Sequence, residues 1–277
     1  MSEIMLDVLH PVHPVIKQHV DYYYILNPKK DYLNNSYTAY PTINQPVVFF
    51  EHTDVLVNAN HHHLKFNERA SGFCGVLNRF TEPLEVTVTG KVRTINIVFK
   101  NLGLNAFIKV PYASIIKTIF QKFNAWDTDA SFIANLFSLA GSQLVHSLDQ
   151  MLLNNYTPFV NEHLVNAIDL MRCEDSNYEV QEIEHRLSVS RKTLLRLFKT
   201  NTGISPTSFR RIIRFRQALE NNKSQPLSLT QLAYVANFAD QSHFIKELHK
   251  LTRDKPSTFL KSATYVKGSK LLIKQHL

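Results

Sequence analysis

Two stretches in the last third of the chain decide its reading: Ser190-Arg191-Lys192-Thr193-Leu194-Leu195-Arg196-Leu197-Phe198-Lys199 and Asp240-Gln241-Ser242-His243-Phe244-Ile245-Lys246-Glu247-Leu248. At 100° per residue, Leu194, Leu197 and Phe198 share one side of a helix, and Lys192, Arg196 and Lys199 point away from it, with Leu195 at the edge. In the second stretch Phe244, Leu248 and Leu251 face inward. Ser242 and Lys246 face outward, and Gln241 and His243 sit exposed at the helix start. Ser190 and Asp240 stand where an N-cap oxygen is wanted. Each helix follows a shorter apolar one across a tight turn. Val180, Ile183 and Leu187 precede the turn Ser188-Val189, and Leu229, Leu232, Ala233 and Ala236 precede the turn Asn237-Phe238-Ala239. The pattern is that of two helix-turn-helix units.

Charge falls in the same place. The chain of 277 residues carries a net charge of +8. Residues 1–158 hold twelve lysines and arginines against twelve acids and cancel, whereas residues 186–274 hold eighteen against four, a net +14. A basic field confined to the two helical units suits a phosphate backbone, whose released counterions drive binding. Between the units, Gly203-Ile204-Ser205-Pro206 ends one helix and starts the next. That next helix carries Phe209 to Ala218, and Asn221-Asn222-Lys223-Ser224-Gln225-Pro226 closes it. Pro256 and Phe259 end the second unit.

This ordered set resembles the DNA-binding domain of the AraC/XylS family of bacterial transcription regulators. The matching residues are Ser190, Leu194, Arg196, Leu197, Phe198, Gly203, Ser205-Pro206, Arg214, Ala218, Ala233, Phe238, Asp240 to Phe244, Lys246 and Pro256. The resemblance implies a seven-helix domain with recognition helices in successive major grooves, about one helical turn (~34 Å) apart. The residues expected at bases are Lys192, Leu195, Arg196, Gln241, Ser242, His243 and Lys246. Those expected at phosphates are Ser190, Arg191, Lys199, Arg210 and Arg211. Three positions depart from the family pattern: Glu184 replaces an alanine, and Asn237 and Arg253 replace glycines.

The remainder reads differently. Residues 1–125 are mostly strand, with candidates at Val20–Ile25, Val47–Glu51, Leu84–Thr89 and Val92–Phe99. These short runs are rich in β-branched and aromatic residues and suggest an antiparallel sandwich or small barrel. The family's regulators carry a cupin-like β-domain, and the run Pro41-Thr42-Ile43-Asn44-Gln45-Pro46-Val47-Val48-Phe49-Phe50 resembles one of its subgroups. Asp129 caps an expected linker helix whose stripe is Ile133, Leu136, Phe137, Ala140, Leu144, Leu148, Met151 and Leu152. That stripe fits packing on the β-domain, and it equally fits a contact between two copies. The expected organisation is therefore α+β in two domains: an N-terminal antiparallel β-sandwich or cupin-like barrel (1–125), a helical linker (126–158), an all-α double helix-turn-helix domain (159–265) and a frayed basic tail (266–277) that includes Lys267, Lys270 and Lys274.

Enzymatic features are sparse. His61, His63, Glu68 and Gly75 follow the spacing of the first metal motif of cupin enzymes. Val55 occupies the upstream glycine position, however, and no histidine lies between His63 and His146. No metal, cofactor or catalytic residue is expected, and the run reads as an exposed polar hairpin. Tyr22-Tyr23-Tyr24 and Phe49-Phe50 read as core, with a pocket as the alternative. Cys74 and Cys173 lie far apart, which fits a reducing compartment. With no signal-like start and no apolar run near the ~20 residues of a membrane span, the expected location is cytoplasmic. The expected partners are double-stranded DNA, a small-molecule effector in the β-domain, a second copy, and RNA polymerase if the protein activates. Two alternatives stay open: a cupin-type metalloenzyme with an accessory DNA-binding domain, and an effector-independent regulator whose β-domain only dimerises.

Overall fold

The structure is a computed structural model and describes residues 4–29, 33–173, 178–224, 227–236, 238, 240–266 and 268–276. Asn237 and Ala239 of the second turn, Gln225 and Pro226, and Lys267 of the basic tail lie outside the described residues. The elements run β1 (Ile4–Leu9), α1 (Pro14–His19), β2 (Val20–Pro28), β3 (Asn34–Ala39), β4 (Gln45–Glu51), β5 (Thr53–Asn58), β6 (His61–Phe66), β7 (Phe73–Leu77), β8 (Leu84–Thr89) and β9 (Arg93–Phe99). After a 3₁₀ turn at Gly103–Phe107 come α2 (Tyr112–Ile115), β10 (Phe120–Lys122), α3 (Ala130–Ser138) and α4 (Gly141–Asn154). Then follow α5 (Glu162–Arg172), α6 (Val180–Arg186), α7 (Arg191–Thr202), α8 (Pro206–Ser224), α9 (Leu229–Val235), α10 (Gln241–Thr252), α11 (Pro256–Ser262), β11 (Ala263–Tyr265) and β12 (Leu272–His276).

Two sheets face each other, in the orders β1-β2-β9-β4-β7-β10 and β11-β12-β3-β8-β6-β5. The described pairings are antiparallel apart from β6–β8. The first sheet is apolar on both faces because it is the middle layer. Tyr23, Val47, Phe49, Ile95 and Ile97 pack with Leu136, Leu144 and Leu148 of α3 and α4. The other face, with Tyr24, Phe50 and Val98, turns toward the second sheet, whose Leu84, Val86 and Val88 are buried in a smaller cluster. The outward face of the second sheet is polar. There Thr38 donates to Glu85 at 2.8 Å, and His61 and His63 pair with Thr87 and Thr89 at 2.8 and 2.9 Å. This is the alternation expected of a sheet wet on one side.

Two expectations are corrected. The linker is two helices rather than one, because Ala140 is extended (φ −143°) and Gly141 adopts φ +51°. Apart from Ala140, exposed at the break, its apolar stripe is buried on the β-domain, so that face is not free for a helix–helix contact between copies. The expected frayed tail instead holds a strand: Ile273, Lys274, Gln275 and His276 pair with Ala39, Thr38, Tyr37 and Ser36 of β3. Leu272 and Ile273 are 3% and 5% exposed. The lysines around this segment conceal a short apolar strand, and its partner edge lies more than two hundred residues upstream.

Asp149 on α4 fixes the start of the chain. Its carboxylate accepts from the backbone N–H groups of Val12 and His13 at 2.9 and 2.8 Å, and from the Tyr23 hydroxyl at 2.6 Å. Burial, then this bond to the carboxylate, pushes the Tyr23 pKa upward. Asp149→Ala leaves three donors unpaired and is expected to cost about 3 kcal/mol in a urea titration. A loss well under 1 kcal/mol contradicts this role.

Candidate nucleic-acid interface

Seven helices, α5 to α11, occupy Glu162–Ser262 among the described residues. In the first unit Ile183 of α6 is fully buried, and the turn forms through Ser188 at φ +52° and a bond from the Val189 N–H to the Glu184 carbonyl at 3.0 Å. Glu184 contributes its backbone here and sits half-buried, so its side chain does not disrupt the unit. The Ser190 hydroxyl accepts from the Thr193 N–H at 3.2 Å and caps α7. Leu194 and Phe198 are fully buried, which locks the inner face. Ser190, Arg191, Lys192, Leu195, Arg196 and Lys199 are all exposed along the outer face. Gly203 ends the helix at φ +81°.

The second unit repeats this design. Ser228 and Gln231 exchange capping bonds at 3.2 and 2.8 Å at the start of α9. Asp240 caps α10 by accepting from the His243 N–H at 2.8 Å. Phe244, Leu248 and Leu251 are buried, and Gln241, Ser242, His243 and Lys246 are exposed. Gln241 Oε1 accepts from the Thr230 hydroxyl at 2.9 Å. This bond uses one lone pair of Oε1 and holds the side chain in place, leaving the second lone pair and Nε2 available. The His243 ring stands edge-on to Phe238, 5.2 Å between centroids. Arg253 ends α10 at φ +55°. It occupies the position where the resemblance leads one to expect glycine, and it takes up the left-handed geometry that glycine adopts at no cost.

The structure places every expected base-contacting residue on one of these two exposed faces. It withdraws two of the expected phosphate contacts. Arg210 is 6% exposed; its Nε donates to the Tyr178 carbonyl at 2.7 Å and its guanidinium pairs with Glu179 at 3.0 Å. Arg211 forms an ion pair with Glu247, tying α8 to α10. Both are struts. Both belong to the arginine-rich run of α8, in which Arg216 turns instead to the carbonyls of Tyr40 and Pro41. Arg214 is a strut as well: its guanidinium lies 3.8 Å from the centroid of the Phe238 ring and its Nε donates to the Ala236 carbonyl at 3.0 Å, holding the second turn. Burial, then the nearby Arg210 charge, lowers its pKa to about 10.

Residues that sequence reasoning missed hold the reading helices from the β-domain. Arg79, 6% exposed, donates through Nη1 to the Thr202 carbonyl at the end of α7 at 3.1 Å. Its Nε reaches the Ile43 carbonyl at 2.9 Å and its Nη2 the Asn101 carbonyl. Asn105 donates to the Asn201 carbonyl at 3.1 Å. At the end of α10, Arg253 pairs with Glu82, and Asp254 accepts from the Tyr40 hydroxyl at 3.0 Å and from Lys274 at 2.9 Å. The β-domain therefore grips the C-terminal end of each recognition helix and leaves the N-terminal halves free.

Residues 183–262 match the family model described as a helix-turn-helix domain. This segment is an AraC-type helix-turn-helix domain. A histidine kinase P4 of Formosa agariphila is 24% identical over 115 residues, which is 42% of this chain and 8% of that protein. The chain thus spans under a tenth of the length of that curated relative. Among solved structures, ToxT from Vibrio cholerae is 12% identical, with 84% of this chain and 98% of that chain covered and a TM-score of 0.47. An AraC-type regulator from Chromobacterium violaceum is 23% identical over 35% of this chain and 88% of its own, with a TM-score of 0.32.

Outside the AraC-type domain no metal centre gathers: among the described residues no three His, Cys, Asp or Glu side chains converge. His61 and His63 are bonded to threonines, as above, and Glu68 is exposed. Cys74 is buried, and burial raises its thiol pKa. No helix among the described residues is long and apolar enough to cross a membrane.

The two sets of arginines separate in a salt titration. Arg191→Ala and Lys199→Ala are each expected to reduce the slope of log Kd against log salt for duplex DNA by about 1. Arg210→Ala should leave the slope unchanged and cost about 1–3 kcal/mol of stability. The reverse pattern contradicts the assignment.

Proposed function

We propose that the protein is a sequence-specific transcription regulator that sets α7 and α10 into successive major grooves on one face of duplex DNA. The observation that carries this reading is the paired design itself. Each recognition helix is capped at its N-terminus, locked by buried leucine and phenylalanine, and exposed along a polar face, and both stand in the +14 segment. In this reading Lys192, Leu195 and Arg196 meet one half-site and Gln241, Ser242, His243 and Lys246 the other. Arg196 donates bidentately to guanine and Leu195 meets a thymine methyl. Ser190, Arg191 and Lys199 take phosphates, which set register rather than sequence.

The β-domain serves as the sensor. It encloses a cavity between its sheets and holds the ends of both recognition helices, so a small molecule bound there acts on DNA reading through the shared interface. The ToxT structures include one with an unsaturated fatty acid bound. The protein acts where duplex DNA is, in the cytoplasm.

Selection of bound fragments from random genomic DNA tests the base-reading roles. Arg196→Ala and Lys246→Ala are each expected to relax preference at a different half-site, with a loss of about 1–3 kcal/mol on the wild-type site. Unchanged base preference in both variants contradicts the assignment.

A further inference from the structure

Charge in the β-domain is unevenly spread. Residues 1–93 hold eight lysines and arginines against nine acids. Residues 94–126 hold four lysines, Lys100, Lys109, Lys117 and Lys122, and no acid. Two of the four are engaged within the domain. Lys100 donates to the Lys17 carbonyl at 2.6 Å, and the Lys122 ammonium lies over the Phe73 ring, 5.2 Å from its centroid. Lys109 and Lys117 are exposed, and among the described residues neither ammonium has an ion-pair or hydrogen-bond partner.

These two lysines bracket α2, the β-domain helix that packs on α7. The approach is close. Gly203, at the end of α7, has no room for a side chain, since a Cβ there would stand 3.1 Å from the Tyr112 ring. Lys109 is three residues before Tyr112 and Lys117 two after Ile115, so even a fully extended chain keeps their Cα atoms within ~11 and ~7 Å of α2. Lys199, already assigned to a phosphate, lies one turn before Gly203, and its carbonyl accepts from the Gly203 N–H at 3.2 Å.

The backbone beneath both lysines is pinned. Ile108 and Tyr112, which flank Lys109, are 6% and 0% exposed. The Phe107 carbonyl accepts from Trp126 Nε1 at 2.8 Å, and the Tyr112 hydroxyl lies 2.7 Å from both Gln45 Oε1 and Asn78 Oδ1. Gln121 Oε1 accepts from the Lys117 N–H at 2.9 Å, and Gln121 Nε2 donates to the Ile115 carbonyl. Both lysines are therefore carried at fixed places beside α7 with their ammonium groups free, and binding an anion there orders only the side chains.

We propose that Lys109 and Lys117 bind the phosphates bordering the half-site read by α7, so that the β-domain forms part of the DNA interface itself. This rests on the regulator reading above and adds a third contact region to its two helices. Phosphate contacts set register and affinity without base preference.

The test uses the full chain and a selected duplex. The double variant Lys109→Ala/Lys117→Ala is expected to reduce the slope of log Kd against log salt by about 2, with base preference in fragment selection unchanged. Lys65→Ala/Lys91→Ala removes the same charge from the same domain. Lys65 stands opposite Thr89, at the end of β8 away from Leu84, Ala39 and the Tyr40–Asp254 bond to the DNA-binding domain. This control should leave the slope unchanged. In hydroxyl-radical footprinting the first variant should lose protection at riboses bordering the half-site that Arg196→Ala weakens, and keep it at the half-site that Lys246→Ala weakens.

A slope equal to that of the wild type, an equal fall in the charge-matched control, or an unchanged footprint around the first half-site overturns the β-domain contact and leaves the regulator reading standing. Failure of the wild-type chain to bind any duplex strikes the regulator reading itself, and this contact with it.

Discussion

The guanidinium of Arg79 is the contact on which the arrangement of this molecule depends. Buried, it has no water to share its charge and instead satisfies three backbone carbonyls, those of Ile43, Asn101 and Thr202. Two belong to the β-domain and the third ends a recognition helix. Desolvation lowers its pKa, yet an arginine remains charged at any relevant pH. A planar donor fork can hold three acceptors in one fixed geometry, which a lysine cannot. Tyr112 and Phe209 lie beside it, one from each side of the interface, 5.6 and 5.9 Å from the guanidinium carbon. By holding these three carbonyls together, the side chain fixes the end of α7 to the β-domain.

The second anchor is the C-terminal strand. A helical DNA-binding domain attached at one end would be free to swing on its linker. Here the chain returns and adds β12 to the edge of β3, so the reading units are attached to the β-domain at both ends. Pairing also covers an edge that would otherwise be open to other chains. Arg216 strengthens the closure from within α8, donating to the carbonyls of Tyr40 and Pro41 at 2.9 and 2.7 Å. Geometry between the two recognition helices is consequently set by α8 between them and by the β-domain at the C-terminal end of each.

Much of this was legible in the amino-acid order, and what was missed has a common cause. Caps, turns and helical faces depend on residues three or four apart, so Ser190, Asp240, Gly203 and the exposed reading residues could be placed from local pattern. Strands β2, β4, β8 and β9 were visible because they are strongly apolar. Strands β5 and β6 were harder to see, since they are polar, as was β12, framed by lysines. Arg210 and Arg211 looked like phosphate contacts because sequence shows charge but not direction, and Glu179 and Glu247 lie thirty or more residues from them. Arg79 carried no periodic signal at all; its role exists only once Ile43, Asn101 and Thr202 have been brought together.

In the proposed mode of binding, two similar helices, held at their C-terminal ends by one β-domain, read adjacent turns of the same face of DNA. Hydroxyl-radical footprinting on a selected high-affinity site tests it most directly. Two protected patches centred about 10 base pairs apart on one face of the duplex are expected, of which Arg196→Ala weakens one and Lys246→Ala the other. A single protected patch, or two patches on opposite faces, would contradict it.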